Sequence, residues 1–300
     1  MAKPETQLIK IAPWLFVFLW SSGFVAAKYV NPYSGPFAFL TIRYVIAALV
    51  LFIVALIQAR KYGLTLKKIW HASLVAFFLH FLYIGGVFYA IHLGVTAGIS
   101  SVIVSLQPVL VALLAIPVLG ERFKFIEAVG LALGVIGVAL LLLPKMFQGD
   151  LTPQFSSLGI ISCTVALFGT TLGYLAQKKN GADMDFVTGT SIQYAVTAIL
   201  FAITATLSNE WAISWTAQYI GGLAWSSLAL SIGSIFLLYS LLQRGSAGSV
   251  SSLYYLVPPS SAIQAYFLFG EKIPLIGLFG MSLAALGVML VMRATKSYGH

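Results

Sequence analysis

Apolar residues fall along this chain in runs of about twenty, separated by short polar breaks. The runs lie near 10–30, 36–58, 69–92, 96–119, 124–143, 157–177, 185–207, 215–242, 246–269 and 272–293. Each is long enough, at 1.5 Å of rise per residue, to cross about 30 Å of hydrocarbon as an α-helix. The pattern predicts an all-α integral membrane protein with ten transmembrane helices. The breaks carry turn chemistry, as in Asn31-Pro32-Tyr33-Ser34-Gly35-Pro36, Gly120-Glu121-Arg122, Asn180-Gly181-Ala182-Asp183 and Gly270-Glu271-Lys272. No break is long enough to hold a second domain.

The pattern also repeats. The stretch from Tyr89 to Leu140 returns 150 positions later from Tyr239 to Leu290, matching Ala97 with Ala247, Pro108 with Pro258, Gly120 with Gly270, Glu121 with Glu271, Gly130 with Gly280 and Gly137 with Gly287. The same offset pairs Gly23 with Gly173, Lys28 with Lys178, Tyr44 with Tyr194, and Arg43 with Gln193. The chain reads as a duplication, with a first five-helix repeat over 1–145 and a second over 146–300. An odd number of spans per repeat inserts the two in opposite directions, the arrangement of carriers whose substrate site lies between rocking halves.

Composition agrees with this reading. Hydrophobic residues make up 60% of the chain and charged ones 8%, with a mean hydropathy of +0.96, leaving too little polar surface to cover a soluble domain. Placing both termini in the cytoplasm collects Lys3, Lys10, Arg60, Lys61, Lys67, Lys68, Lys178, Lys179, Arg244, Arg293 and Lys296 on that side, as the positive-inside rule requires. The net charge of +9 is then accounted for by loops facing anionic lipid, and no nucleic-acid partner is called for. A single cysteine, Cys163, permits no internal disulfide.

The segments Trp20-Ser21-Ser22-Gly23-Phe24 and Ile42-Arg43-Tyr44, then Gly120-Glu121-Arg122 with Gly130, Gly134 and Gly137, and the duplicated Gly270-Glu271-Lys272 with Gly280 and Gly287, carry a resemblance. In their order and duplication they resemble the EamA branch of the drug/metabolite transporter superfamily, over almost the whole chain. That branch includes bacterial exporters of amino acids, aromatic ones among them, and of cationic herbicides such as methyl viologen. The resemblance implies a multi-pass carrier in the bacterial inner (plasma) membrane, a monomer without cofactor or metal, moving small metabolites. Amino acids are the leading substrate, with organic cations such as methyl viologen, or purines and other metabolites, as the alternatives. Gln193 stands where a symmetric repeat would place a second arginine, which puts a two-fold role for Arg43 in doubt.

Candidate chemistry is sparse. Every acidic residue lies in a loop, a tail or the first turn of a span, so mid-membrane coupling through a carboxylate is not expected. No Walker loop, His-Glu-x-x-His or Gly-x-Ser-x-Gly pattern occurs, which supports neither an ATP-driven pump nor an intramembrane enzyme. His80 lies halfway along the third run. With Phe77, Tyr83 or Ile84, and Val87 it follows i, i+3, i+7 spacing and either lines a cavity or bonds a neighbouring helix. Arg43 sits about 10 Å past Pro36, at 1.5 Å per residue, where it either grips a substrate carboxylate or serves packing. Pro108 and Pro258 break equivalent spans, and with Gly23 and Gly173 are candidate hinges. Trp20, Gln107, Tyr174, Tyr239, Tyr254 and Tyr255 complete the expected substrate-binding set, their aromatic faces suiting aromatic side chains and organic cations. The glycine rows of the fifth and tenth runs read as close helix packing, and Glu121 and Glu271 as helix caps.

Overall fold

The computed structural model describes residues 4–57, 65–120, 124–147, 156–180, 184–270 and 275–296. Glu121 and Glu271, with the caps expected of them, lie outside these. Among the described residues the regular elements are all helices, joined by short turns and loops, with one isolated β-bridge between Ser34 and Ile213. In chain order the helices are α1 (Pro4–Val30), α2 (Pro36–Ile57), α3 (Leu66–His92), α4 (Ala97–Leu119), α5 (Phe125–Phe147), α6 (Ser157–Asn180), α7 (Phe186–Leu207) and α8 (Ala217–Arg244). They are followed by α9, whose parts Ala247–Ser251 and Val257–Phe269 flank a 3₁₀ turn at Ser252–Leu256, and by α10 (Leu275–Lys296). Seven stretches among the described residues are long and apolar enough to cross a membrane, and Phe125–Leu140 and Leu275–Val291 form shorter apolar helices. The exposed surface agrees, with Phe52, Ile57, Leu113, Ile199, Ile203, Phe267 and Phe279 all turned outward.

The 150-residue offset reappears in local geometry. Thr96 caps α4 by accepting from the Ile99 amide, and Ser246 caps α9 by accepting from the Ser249 amide. Leu106 and Leu256 both leave ideal helix geometry, at ψ −8° and −9°, just ahead of Pro108 and Pro258. Each proline lacks an N–H and therefore sits in the first turn of a restarted helix. Gly120 and Gly270 close those helices in the left-handed region at φ 70° and 68°, a conformation that costs glycine least. The middles of α3 and α8 share a rarer feature, for Ala76–Gly85 and Trp225–Ser234 are both π-helical.

Counterpart helices also pack on one another. α2 lies along α7 and α5 lies along α10. Glycine decides the second contact: a Cβ on Gly137 would stand 2.5 Å from the Gly280 carbonyl, and one on Gly287 2.5 Å from the Gly130 carbonyl. These rows are scaffold, as their spacing suggests, because lipid offers no hydrophobic drive and backbones must approach closely to gain contact. At one end of the bundle the loops cross over. Glu210 Oε2 accepts the Phe37 amide of α2 at 2.7 Å, and the Ser214 amide donates to the Tyr33 carbonyl at 2.8 Å. The carboxylate thereby satisfies an orphan donor at the positive end of α2.

Candidate functional site

A cavity lies in the middle of the bundle where α1, α2, α3 and α8 meet. Its walls are Trp20, Gly23 and Phe24 from α1, Arg43 and Tyr44 from α2, a run from His80 to Phe88 on α3, and Leu230, Ser231, Ser234 and Ile235 from α8. Its volume is about 40 Å³, room for roughly three waters at ~10–15 Å³ of such space each. At that volume the cavity is too small for a metabolite.

Two linked sets of hydrogen bonds build the walls. On one side, Arg43 Nε donates to Ser231 Oγ at 2.8 Å. Ser231 Oγ in turn donates to the Ser226 carbonyl five residues back at 3.1 Å, and the Tyr194 hydroxyl donates to the Ser231 carbonyl. The wider i→i+5 winding of this segment turns these carbonyl groups to side chains. On the other side, Gln193 Oε1 accepts from the Tyr239 hydroxyl at 2.6 Å and from His80 Nε2 at 3.2 Å. Since that oxygen can only accept, Nε2 carries the imidazole hydrogen and Nδ1 accepts from the Tyr44 hydroxyl at 3.3 Å. Gln193 Nε2 continues the chain to Gln177 Oε1 at 3.2 Å.

The sets mirror each other through the repeat. Arg43 and Gln193 are counterparts, and each reaches the middle of a π-helical span in the other half, Arg43 to Ser231 and Gln193 to His80, whereas the counterparts Tyr44 and Tyr194 bond the π-helical spans of their own halves. Arg43 is 4% exposed, and neither Asp nor Glu is among the residues lining the cavity with it. A buried guanidinium without a carboxylate beside it is expensive in a low dielectric. Aromatic rings complete the enclosure. Trp20 stacks on Tyr83 at 6.0 Å between centroids and donates Nε1 to its hydroxyl at 3.0 Å, while Tyr44, His80 and Tyr194 meet at 5.0–5.6 Å.

Of the residues singled out in the sequence, the structure brings Trp20, Gly23, Arg43, His80 and Tyr83 to the cavity, with Tyr239 linked to His80 by two hydrogen bonds through Gln193. Others lie elsewhere. Phe77 is 39% exposed and stacks on Phe81 at the outer surface, because the π-helical winding rotates it off the His80 face that α-helical spacing assigned to it. Tyr174 donates to the Ala247 carbonyl at 2.6 Å and pins α6 to the start of α9. Tyr255 packs across Gly134 of α5, where a Cβ would stand 2.2 Å from its ring. Tyr254 sits behind the cavity wall, 5.5 Å from the Trp20 ring. Gln107 is buried in α4, and no cavity-lining residue comes from that helix. Ser101, Ser105 and Ser251, close to the prolines, donate their hydroxyl hydrogens to carbonyls three residues earlier on their own helices. Gly173 is in close contact, since a Cβ there would stand 2.5 Å from the Leu79 amide, whereas at Gly23 the nearest atom is Leu230 Cδ1 at 3.8 Å.

Of the lining residues, sequence reasoning missed Phe24, Tyr44, Phe88, Leu230, Ser231, Ser234 and Ile235. At the repeat offset of 150 the counterpart of His80 is Leu230, so the duplication points to this stretch of α8 without singling out Ser231.

The same architecture occurs in a solved crystal structure that is 16% identical, covers 97% of this chain and 98% of its own, and superposes with a TM-score of 0.77. Among curated proteins, an uncharacterized transporter of Bacillus subtilis, YvbV, is 28% identical over 98% of this chain and 94% of its own length. A probable terminal-alkyne amino-acid exporter of Streptantibioticus cattleyicolor is 26% identical over 67% of this chain and 66% of its own. The EamA-like transporter family matches twice, at 11–143 and at 157–293. With nearly the whole chain matched, in two copies, this multi-pass membrane protein belongs to the EamA-like transporter family.

Proposed function

We propose that the protein is an alternating-access exporter of amino acids, aromatic ones included, built from two inverted five-helix repeats (1–145 and 146–300) with both termini on the cytoplasmic face of a bacterial inner membrane. The observation that carries this reading is Arg43. Its Nε is held by Ser231 while its guanidinium borders a mid-bundle cavity that offers no acidic side chain. A substrate carboxylate supplies the missing charge through paired, charge-assisted hydrogen bonds. The stacked Trp20 and Tyr83 provide a flat apolar wall for the side chain. The amino-acid exporter among the relatives supports the same substrate class. An organic cation finds aromatic faces here but meets Arg43 in place of a carboxylate, which makes it the weaker substrate.

Gly23, Pro108, Pro258 and Gly173 remain the proposed joints of the cycle. The prolines interrupt α4 and α9 at equivalent depths, the usual mark of moving segments in inverted repeats. Counterflow in proteoliposomes tests the reading. Phenylalanine or a similar amino acid is expected to exchange saturably, and methyl viologen is expected to exchange poorly. Saturable exchange of methyl viologen with no amino-acid exchange would replace this reading with the cation exporter.

A further inference from the structure

A second concavity, of about 460 Å³, opens on the outside of the bundle between α1, α8 and α9. The volume lies within the range of small-molecule sites. Along α1 it runs from Phe18 to Tyr29, roughly 16 Å at 1.5 Å per residue, which is the hydrocarbon depth of one leaflet, about half of 30 Å. Its lip is Phe267 and Leu268, 78% and 65% exposed, so it opens toward lipid rather than toward the central cavity.

Two adjacent glycines give the groove its shape. At Gly222 a Cβ would stand 2.5 Å from Val30 Cγ1, so this glycine draws α8 against α1. At Gly221 a Cβ would meet nothing within 4 Å, and this glycine leaves the wall open. The floor is satisfied internally. Trp225 Nε1 donates to Ser22 Oγ at 2.9 Å, and Gln264 Nε2 donates to Ser21 Oγ at 2.7 Å and to the Phe18 carbonyl at 3.1 Å. What remains for an occupant is apolar wall. At one end Lys28 places its ammonium 4.6 Å from the centroid of the Phe269 ring.

We propose that this groove is a binding site for one acyl chain of an anionic phospholipid from the surrounding bilayer, with the phosphate beside Lys28. A groove of this depth facing hydrocarbon forfeits dispersion contacts along its whole length unless a chain enters it. The cation at its end favours an anionic headgroup. A comparable concavity of about 390 Å³ between α4 and α5, lined by residues such as Leu113, Ile116 and Leu131, is aliphatic throughout. The groove joins α1 to α8 and α9, and a chain seated there occupies a junction between the two proposed halves. Assigning the site to the outer leaflet rests on the proposed orientation, but the binding itself does not.

Native mass spectrometry of the full-length protein, with equal amounts of phosphatidylglycerol and phosphatidylcholine, tests the site without any substrate. Wild type is expected to retain one phosphatidylglycerol in preference to phosphatidylcholine. Gly221→Trp, which fills the open wall, is expected to lose that lipid while keeping the wild-type melting temperature, and Gly221→Leu to lose it in part should the indole impair folding. Lys28→Gln is expected to keep a lipid but to lose about fivefold of the preference for the anionic headgroup. A folded Gly221→Trp that retains lipid as wild type does, or a wild type that retains neither lipid preferentially, overturns the proposal. Fluxes through these variants bear on the transport reading alone.

Discussion

Arg43 and Gln193 occupy the same place in the two halves of the chain, on helices that lie against each other, and they have opposite chemistry. Both ends of the Gln193 amide are partnered: its oxygen accepts from His80 and Tyr239, and its nitrogen donates to Gln177. Arg43 has one anchored nitrogen, on Ser231, and a charge that no cavity-lining carboxylate answers. The repeat therefore supplies a frame, two π-helical spans each reached by a side chain from the opposite half, while the departure from the repeat supplies the chemistry. One half meets its own hydrogen-bonding needs, whereas the other leaves a charge that the proposed function assigns to a substrate carboxylate.

The contrast is open to breakage. Its largest expected consequence is on substrate choice. Arg43→Gln makes the two halves alike and removes charge-assisted bonds of about 1.5–3 kcal/mol, so amino-acid counterflow should fall roughly 10- to 150-fold. Methyl viologen exchange should hold or rise in the same vesicles, and equal loss of both would return Arg43 to packing. Gln193→Ala should behave as a structural lesion. It strips the acceptor from His80 and Tyr239 together, at about 1–3 kcal/mol for each group left unsatisfied, and a lowered melting temperature should accompany any loss of flux. A variant that transports poorly at full stability would move Gln193 to the substrate side of the comparison. The paired glycines give a further contrast. Gly173→Ala pushes a Cβ into the Leu79 backbone and should cost about 1–3 kcal/mol, whereas Gly23→Ala enters ordinary contact distance and should be nearly silent in a thermal melt. Smallest of all, Thr96→Ala and Ser246→Ala each remove a matched helix cap and should cost about 1 kcal/mol apiece. Unequal losses would show that the halves differ in more than their cavity residues.

Much of the fold was legible because its determinants are local. Glycines at 120 and 270, prolines at 108 and 258, and runs of twenty apolar residues state their consequences without reference to the rest of the chain. Trp20, Arg43, His80 and Tyr83 were legible as polar or aromatic interruptions of apolar helices. The register of the cavity was not. Phe77 follows the expected α-helical stripe and still points outward, because one π-helical segment resets the phase of α3, and i→i+5 winding leaves no compositional mark. Ser101, Ser105 and Ser251, near the prolines, give their hydroxyl hydrogens to carbonyls one turn back, a commitment that composition does not reveal. Tyr174, Tyr255 and Gln107 are interior by composition, but facing inward within a bundle of many helices does not mean facing this cavity. Ser231 escaped notice as one serine among several in α8, and only the crossed pairing with Arg43 distinguishes it.

The seam between α5 and α10 carries a consequence for how such a carrier acquires its charge. A helix that packs on its own counterpart through Gly130, Gly137, Gly280 and Gly287 has the self-complementary surface that joins identical subunits in an isologous dimer. Were the halves separate identical molecules, a guanidinium at this depth would come twice, two like charges facing one small chamber. Joining both copies into one polypeptide frees them to differ, so a solitary cation can sit opposite an uncharged amide.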